Sequence, residues 1–363
     1  MNITQVETLH FRLPPTGGRV SLTDGVRPEF TNFMAVRVQT DAGLTGLGFT
    51  TAAAGASAVK LVLDSEMTPL VVGQDAANVE SLWSRAQARF RAVGWNGLVA
   101  RAYAAIDIAL WDLKAKAAGL PLFQLLGGAK PSAACFAGDL AGLGSEASQT
   151  IKAARPLLAD GVLGVAIDVG GGDVQLDADR VQHIRDGLGD SAWLGVTAGG
   201  RYDLGTALAM AHFYEEDVGI DWIEAPLPVE DRGGYRRLAE RMEVPLALGA
   251  TFDARDDFRR LLEIGDVRVL RPDVLRLGGI TPFLKVAALA EAFHVTVVPY
   301  RLPEVGVHLA CGLPNVPMAE AGGWLAAAFV EPLKPVQGKL VPPNYPGHGL
   351  ELNVESIARF RVS

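Results

Sequence analysis

The chain has 363 residues, 49% of them hydrophobic, and a formal charge of -8. That length and apolar content suit one large domain with a smaller one appended, or two domains, and the acidic balance argues against nucleic acid or an anionic membrane surface as partner. No apolar run reaches membrane-spanning length without a charge, MNITQVETLHFRLP lacks a secretory pattern, and Cys135 and Cys311 have no metal or redox spacing, so a reducing cytoplasm is the expected setting.

The first part reads as α+β. Ile3 to Leu13 and Asn32 to Gly48 alternate as antiparallel strands do, and DAG at 41–43 is a turn inside the second stretch. Between them PPTGGRVSLTDGVRPEF, rich in Gly and Pro, reads as an exposed loop. Helical spacing follows over Ala56–Leu70, Asn78–Phe90 and Val99–Ala118, with Gly119 as C-cap and Pro121 enforcing the stop.

From about Pro131 short apolar strands alternate with amphipathic helices. Strands read at Ala133–Gly138, Leu163–Val169, Trp193–Ala198, Trp222–Ala225, Leu246–Ala250, Val267–Leu270, Thr296–Pro299 and Pro317–Glu320. Stripes such as Val181, Ile184 and Leu188 mark the helices between them, and Thr281-Pro282 reads as an N-cap with a proline at the first helical position. Eight such units predict a closed parallel (β/α)7-8 barrel of the TIM type. Residues 1–128 would form an α+β capping domain, 129–335 the barrel, and 336–363 a tail returning to the cap.

A barrel of this kind works at the C-terminal ends of its strands. Those ends carry Asp168, Thr197, Arg201, Glu224, Ala250, Thr251, Asp273, Tyr300, Arg301 and Glu320. Glu224, in WIEAPLPVED, has no acid beside it: the strand before ends WLGVTAGG and the strand after PLALGAT. A divalent ion needs several oxygen ligands from different strands, so one carboxylate is a poor cage. All eight lysines (Lys60, Lys114, Lys116, Lys130, Lys152, Lys285, Lys334 and Lys339) lie off the strand ends, which disfavours Schiff-base chemistry.

AIDIALWDLKAKAAGLPLFQLLGG (Ala105–Gly128), WIEAPLPVED, RPDVLRLGGIT (Arg271–Thr281) and PGHGLELN (Pro346–Asn353) together resemble the enolase superfamily, in its mandelate racemase and muconate lactonizing enzyme branch. The resemblance covers nearly the whole chain. It implies abstraction of a proton alpha to a carboxylate, with an enediolate held on Mg²⁺ by acids from strands three, four and five. It also implies a Lys-x-Lys on strand two, an Asp-His pair on strands six and seven, and a Glu on strand eight. Homo-oligomers are implied as well.

Carried over, much of that pattern is missing. Ala166 and Asp168 stand at the lysine positions, and Thr197-Ala198-Gly199 at the strand-three Asp-x-Asn. Glu224 matches the strand-four ligand, but Ala250 replaces the strand-five Glu, so Thr197, Glu224 and Ala250 occupy the three ligand positions and no metal or other cofactor is expected. Asp273 matches the acidic half of the pair, Tyr300 stands for its histidine, and Glu320 matches the strand-eight acid.

Arginine is the natural substitute for a lost cation, because its fork pairs a carboxylate bidentately. Arg19, Arg201, Arg271 and Arg301, with Glu224, are the candidates for substrate binding; Asp168, Tyr300, Asp273 and Glu320 are the candidates for catalysis. Each has a plainer reading. The arginines can be stabilising ion pairs, Glu224 can pair with Arg271 or Arg201, and Asp273 can bond Tyr300 or an arginine. His294 and His308 read as structural, and Gly170, Gly171 and Gly172 as a tight turn rather than a phosphate cradle. Specificity should come from the Arg19–Arg27 loop and from around Trp95. Three functions stay open: metal-independent acid/base chemistry on a small hydroxy acid, sugar acid or lactone, a non-catalytic binding homologue, and a magnesium enzyme with relocated ligands.

Overall fold

The computed structural model describes residues 1–14, 29–263, 265 and 267–362, apart from the side chain of residue 139. β1 (Ile3–Leu13), β2 (Thr31–Thr40) and β3 (Thr45–Ala52) form an antiparallel meander in that order. The 21-residue helix Leu98–Ala118 lies across it and is apolar over most of its circumference, as a helix buried on all sides must be. Its alanines let it come close: a Cβ at Gly46 or Gly48 would overlap the backbone carbonyls of Ala109 or Ala105. Gly119 caps this helix in the left-handed conformation at φ 67°, as the sequence predicts.

The second sheet starts with β4 (Ala133–Ala141). β5 (Gly164–Asp168), β6 (Trp193–Thr197), β7 (Trp222–Glu224), β8 (Leu246–Leu248), β9 (Val267–Leu270), β10 (Thr296–Val297) and β11 (Met318–Ala321) follow, all parallel to their neighbours. The order is β10-β9-β8-β7-β6-β5-β4-β11, so the first strand lies between the second and the eighth, as in a TIM-type barrel. Helices such as Ala147–Ala159, Val174–Leu188 and Ile280–Ala292 alternate with the strands. The Val297 N–H donates to Asn315 O (3.0 Å), tying β10 to the segment that leads into β11. β12 (Lys339–Leu340) adds antiparallel to β4. No described helix is long and apolar enough to cross a membrane.

Several strands stop short of their sequence-predicted ends for local reasons. β8 ends at Leu248 because Gly249 turns to φ 126°. β10 has two residues, and Pro299 beyond it has no N–H to extend the ladder. The Thr281-Pro282 cap is also displaced. The helix begins at Ile280 after Gly279, and a carboxylate from another helix does the capping: Asp107 accepts the Thr281 N–H (2.9 Å) and hydrogen-bonds its hydroxyl (2.6 Å). Gly279, at φ 120°, leaves the room that Asp107 occupies.

Two buried clusters, one polar and one aromatic, join distant parts of the chain. Asp112 accepts from Leu47 N (2.9 Å), Lys116 Nζ (2.6 Å) and His348 N (3.0 Å). His348 donates from Nε2 to Leu47 O (2.7 Å) and accepts at Nδ1 from Leu350 N (3.0 Å). His308 then donates to His348 O at 3.0 Å, a structural role as read from the sequence. Phe329 packs edge-on against Phe49 (5.3 Å between centroids) and Phe33 (6.1 Å), completing the aromatic core over the first sheet.

Candidate active site at the barrel mouth

The barrel interior is built in layers. Phe136, Ala166, Trp222, Ala247, Val269 and Val298 form one buried cluster, with Trp193 and Met318 packed on it. These are contributions from all eight strands or their immediate continuations. Trp193 and Trp222 meet edge to face at 4.7 Å, and Phe136 lies 4.6 Å from Trp193. Gly195 is required here, since a Cβ would come within 2.6 Å of both indoles.

Side chains in a strand return to the same face every second residue. Two positions past that cluster stand Gly138, Asp168, Glu224, Gly249, Arg271, Tyr300 and Glu320, with Thr197 in register between Asp168 and Glu224. This layer is the mouth. It is polar yet buried: Asp168 is 1% exposed, Glu224 1%, Arg271 0%, Glu320 2% and Tyr300 4%.

Arg271 lies at its centre. Nε donates to Glu224 Oε2 (3.3 Å), Nη2 to Glu320 Oε2, and Nη1 to the carbonyls of Pro299 (3.1 Å) and Val298 (3.4 Å). Its guanidinium carbon sits 5.0 Å from the Trp222 ring, 5.3 Å from Tyr300 and 5.4 Å from Phe136. Thr197 Oγ1 donates to Glu224 Oε2 at 3.3 Å, and the Arg301 N–H donates to Glu320 Oε2 at 3.1 Å. A Cβ at Gly138 would overlap the Glu320 carboxylate.

The other candidates are placed as follows. Asp273 caps the short helix Val274–Leu277 through Leu275 N (2.8 Å) and Arg276 N (3.3 Å), and its other oxygen faces Arg101 at 3.8 Å. Arg201 donates to the carbonyls of Ala198 (2.8 Å) and Val169 (3.0 Å), joining the loops after β6 and β5. Arg180 donates to the backbone carbonyl of Asp168 and pairs with Asp177 at 3.1 Å. Asp177 also accepts from Gly170 N (2.6 Å) and Gly171 N (3.2 Å), so the glycine turn closes on an internal carboxylate. Arg301 stacks 5.4 Å from the Tyr300 ring. Arg19 and the rest of the Arg19–Arg27 loop lie outside the described residues. Trp95 donates to Leu277 O (3.3 Å), just past β9.

Backbone strain gathers at this mouth. Ala225 (φ 46°), Arg301 (φ 52°) and Leu302 (φ 52°) hold left-handed conformations without being glycine. Ala225 precedes Pro226 and Leu302 precedes Pro303, and a following proline disfavours the right-handed helical region. Each such residue costs on the order of 1–3 kcal/mol and persists only where its surroundings enforce it.

Sequence reasoning did not single out Gly138 or Arg101. Counting back along β4 in steps of two would have placed Gly138 beside Glu320. Arg101, on the helix of the first domain, carries no local signal of its approach to Asp273.

The N-terminal domain model of mandelate racemase / muconate lactonizing enzyme matches residues 26–127, and an enolase C-terminal domain-like model matches 149–357. The chain belongs to this branch of the enolase superfamily. It is 32% identical to a 3,6-anhydro-alpha-L-galactonate cycloisomerase of Streptomyces coelicolor over 362 residues, 99% of each chain. A solved racemase from Streptomyces coelicolor with bound magnesium superposes with a TM-score of 0.93 at 32% identity, covering 99% of this chain and 100% of that one. An L-talarate dehydratase from Polaromonas, complexed with Mg and L-glucarate, gives 0.91 at 31% identity and covers 100% and 98%.

Magnesium asks for near-octahedral oxygen donors. At the positions to which the resemblance assigns ligands the chain has Thr197, Glu224 and Ala250, and the Glu224 carboxylate accepts from Arg271 and Thr197. Among the described residues no three His, Cys, Asp or Glu side chains gather as a metal site. At those positions the chain offers the ion one carboxylate, already bonded to Arg271.

Proposed function

We propose that this chain is an isomerase or lyase acting on a small sugar acid, or on a related hydroxy acid or lactone, by acid/base chemistry that needs no carboxylate-held magnesium. The substrate class is supported by the enzymes it resembles, a cycloisomerase of an anhydro-galactonate and a dehydratase complexed with L-glucarate. The observation that carries the metal-independent part is the Glu224–Arg271–Glu320 bridge.

In this reading Asp168 takes the proton alpha to the substrate carboxylate, and the electron pair passes into the carboxylate as an enediolate. Tyr300 supplies a proton, to the carbon in an isomerisation or to a departing hydroxyl in a dehydration. An enediolate forms only where positive charge meets it. Arg301, part-exposed beside Tyr300, is assigned the substrate carboxylate, while Arg271, with no solvent contact, holds its charge beneath.

The test is solvent exchange. The protein is incubated in D₂O with a panel of aldonates, aldarates and their lactones, with and without chelator, and deuterium at carbon is followed by NMR. Exchange that survives the chelator supports the reading. Exchange that appears only with added Mg²⁺ overturns it and favours relocated ligands.

One observation favours a second reading. Asp273 is engaged in a helix cap and Glu320 accepts from Arg271 and the Arg301 N–H, so two acid/base candidates are committed to structure. A binding homologue without turnover would show thermal stabilisation by a panel member and no exchange or product.

A further inference from the structure

We infer that the barrel mouth is a guanidinium site filled by the chain's own Arg271, a built-in cation that supplies the charge a divalent ion would bring. The inference extends the metal-independent reading above. It concerns charge balance and not turnover, so each can fail while the other stands.

The shape of the site argues for this cation. A guanidinium is flat, with donors around its edge and two faces that stack on aromatic rings. The surroundings of Arg271 match both parts. Phe136, Trp222 and Tyr300 lie within 5.0–5.4 Å of its central carbon. Glu224, Glu320 and the carbonyls of Val298 and Pro299 take its edge. A hydrated octahedral ion has no use for an aromatic face.

The surroundings also look arranged for it. Gly138 leaves space for Glu320 to reach the guanidinium, and the strained Arg301 turns its N–H onto the same carboxylate oxygen. Thr197 donates to the Glu224 oxygen that Arg271 also holds. Taking one charge out of a buried set costs far more than replacing the whole set by neutral groups.

The experiment reads thermal stability. Arg271→Ala is expected to lower Tm by roughly 5 °C, as loss of one partner in a buried ion set does. Millimolar guanidinium or methylguanidinium, far below denaturing levels, should restore at least half of that loss and leave the wild-type chain unchanged. Magnesium at the same concentration should move neither. A saturable rise of the wild-type Tm with Mg²⁺, better rescue of Arg271→Ala by Mg²⁺ than by guanidinium, or no rescue by guanidinium would overturn the inference.

Should Arg271→Ala fail to fold, a second comparison decides. Arg271→Met is made alone and together with Glu224→Gln and Glu320→Gln. The inference expects a large Tm loss in the single variant and a Tm within a few degrees of wild type in the triple one. Equal losses in both would show that Arg271 acts by packing and would sink it.

Discussion

Gly138 and Glu320 sit on neighbouring strands, β4 and β11, and the glutamate's carboxylate lies where a side chain on the glycine would begin. Gly138→Ala should therefore act through Glu320 and not through β4 itself. The carboxylate is pushed off Arg271, and breaking one arm of a buried ion set costs about 3 kcal/mol or more. Urea unfolding of Gly138→Ala measures this. A loss below about 0.5 kcal/mol, the scale of an ordinary surface substitution, would mean that the glycine makes no room that matters.

The pH profile should rest on two buried groups that oppose each other. Burial raises the Asp107 carboxyl to about 7, against the lowering effect of its bonds to Thr281. It therefore stays protonated in the fold while the unfolded chain ionises above about 3.8. Its stabilising effect is full below that value and is lost as pH rises towards 7. Burial, with His348 nearby, lowers His308 to about 3. The unfolded chain takes up a proton there below about 6.5, so this contribution is lost as pH falls through 6.5 towards 3. Each slope is about 1.4 kcal/mol per pH unit.

Over about pH 4 to 6.5 the two nearly cancel. Asp107→Asn, whose amide can donate to the Thr281 hydroxyl while its oxygen accepts the N–H, should expose the histidine's slope and make the protein acid-labile. His308→Gln should do the reverse, with stability rising on mild acidification. Chemical denaturation at several pH values reads both, and parallel profiles for the two variants would refute the assignment.

Asp168→Asn and Tyr300→Phe should each lower deuterium exchange by roughly 10²–10⁴-fold, the usual contribution of a positioned acid or base. Far-UV circular dichroism and Tm should show both variants folded. Undiminished exchange in either would remove that residue from the proposed pair.

Most of the barrel could be read from the chain because its strands alternate so regularly with helices, and because Trp222, Val269 and Met318 lie two residues before Glu224, Arg271 and Glu320. The sequence leaves Glu224 a choice of Arg271 or Arg201 as partner, and the structure pairs it with Arg271. What escaped were features set by other parts of the chain. Nothing near Thr281 announces that Asp107, 174 residues away, will cap its helix. Nothing around Val298 shows that Pro299 will leave β10 only two residues long, because strand length there depends on a partner for each N–H. Gly138 escaped because a missing side chain has meaning only once its neighbour's carboxylate is in place.

Asp112 accepts hydrogen bonds from Leu47 near one end of the chain and from His348 near the other. On the ribosome, Leu47 emerges 301 residues before His348. Until then the Asp112 carboxylate holds only its local partners, and the Phe33–Phe49 pair waits for Phe329. The sheet of β1–β3 is therefore finished only when residues some 300 positions later have been made, and a chain stopped between them would carry that module incomplete.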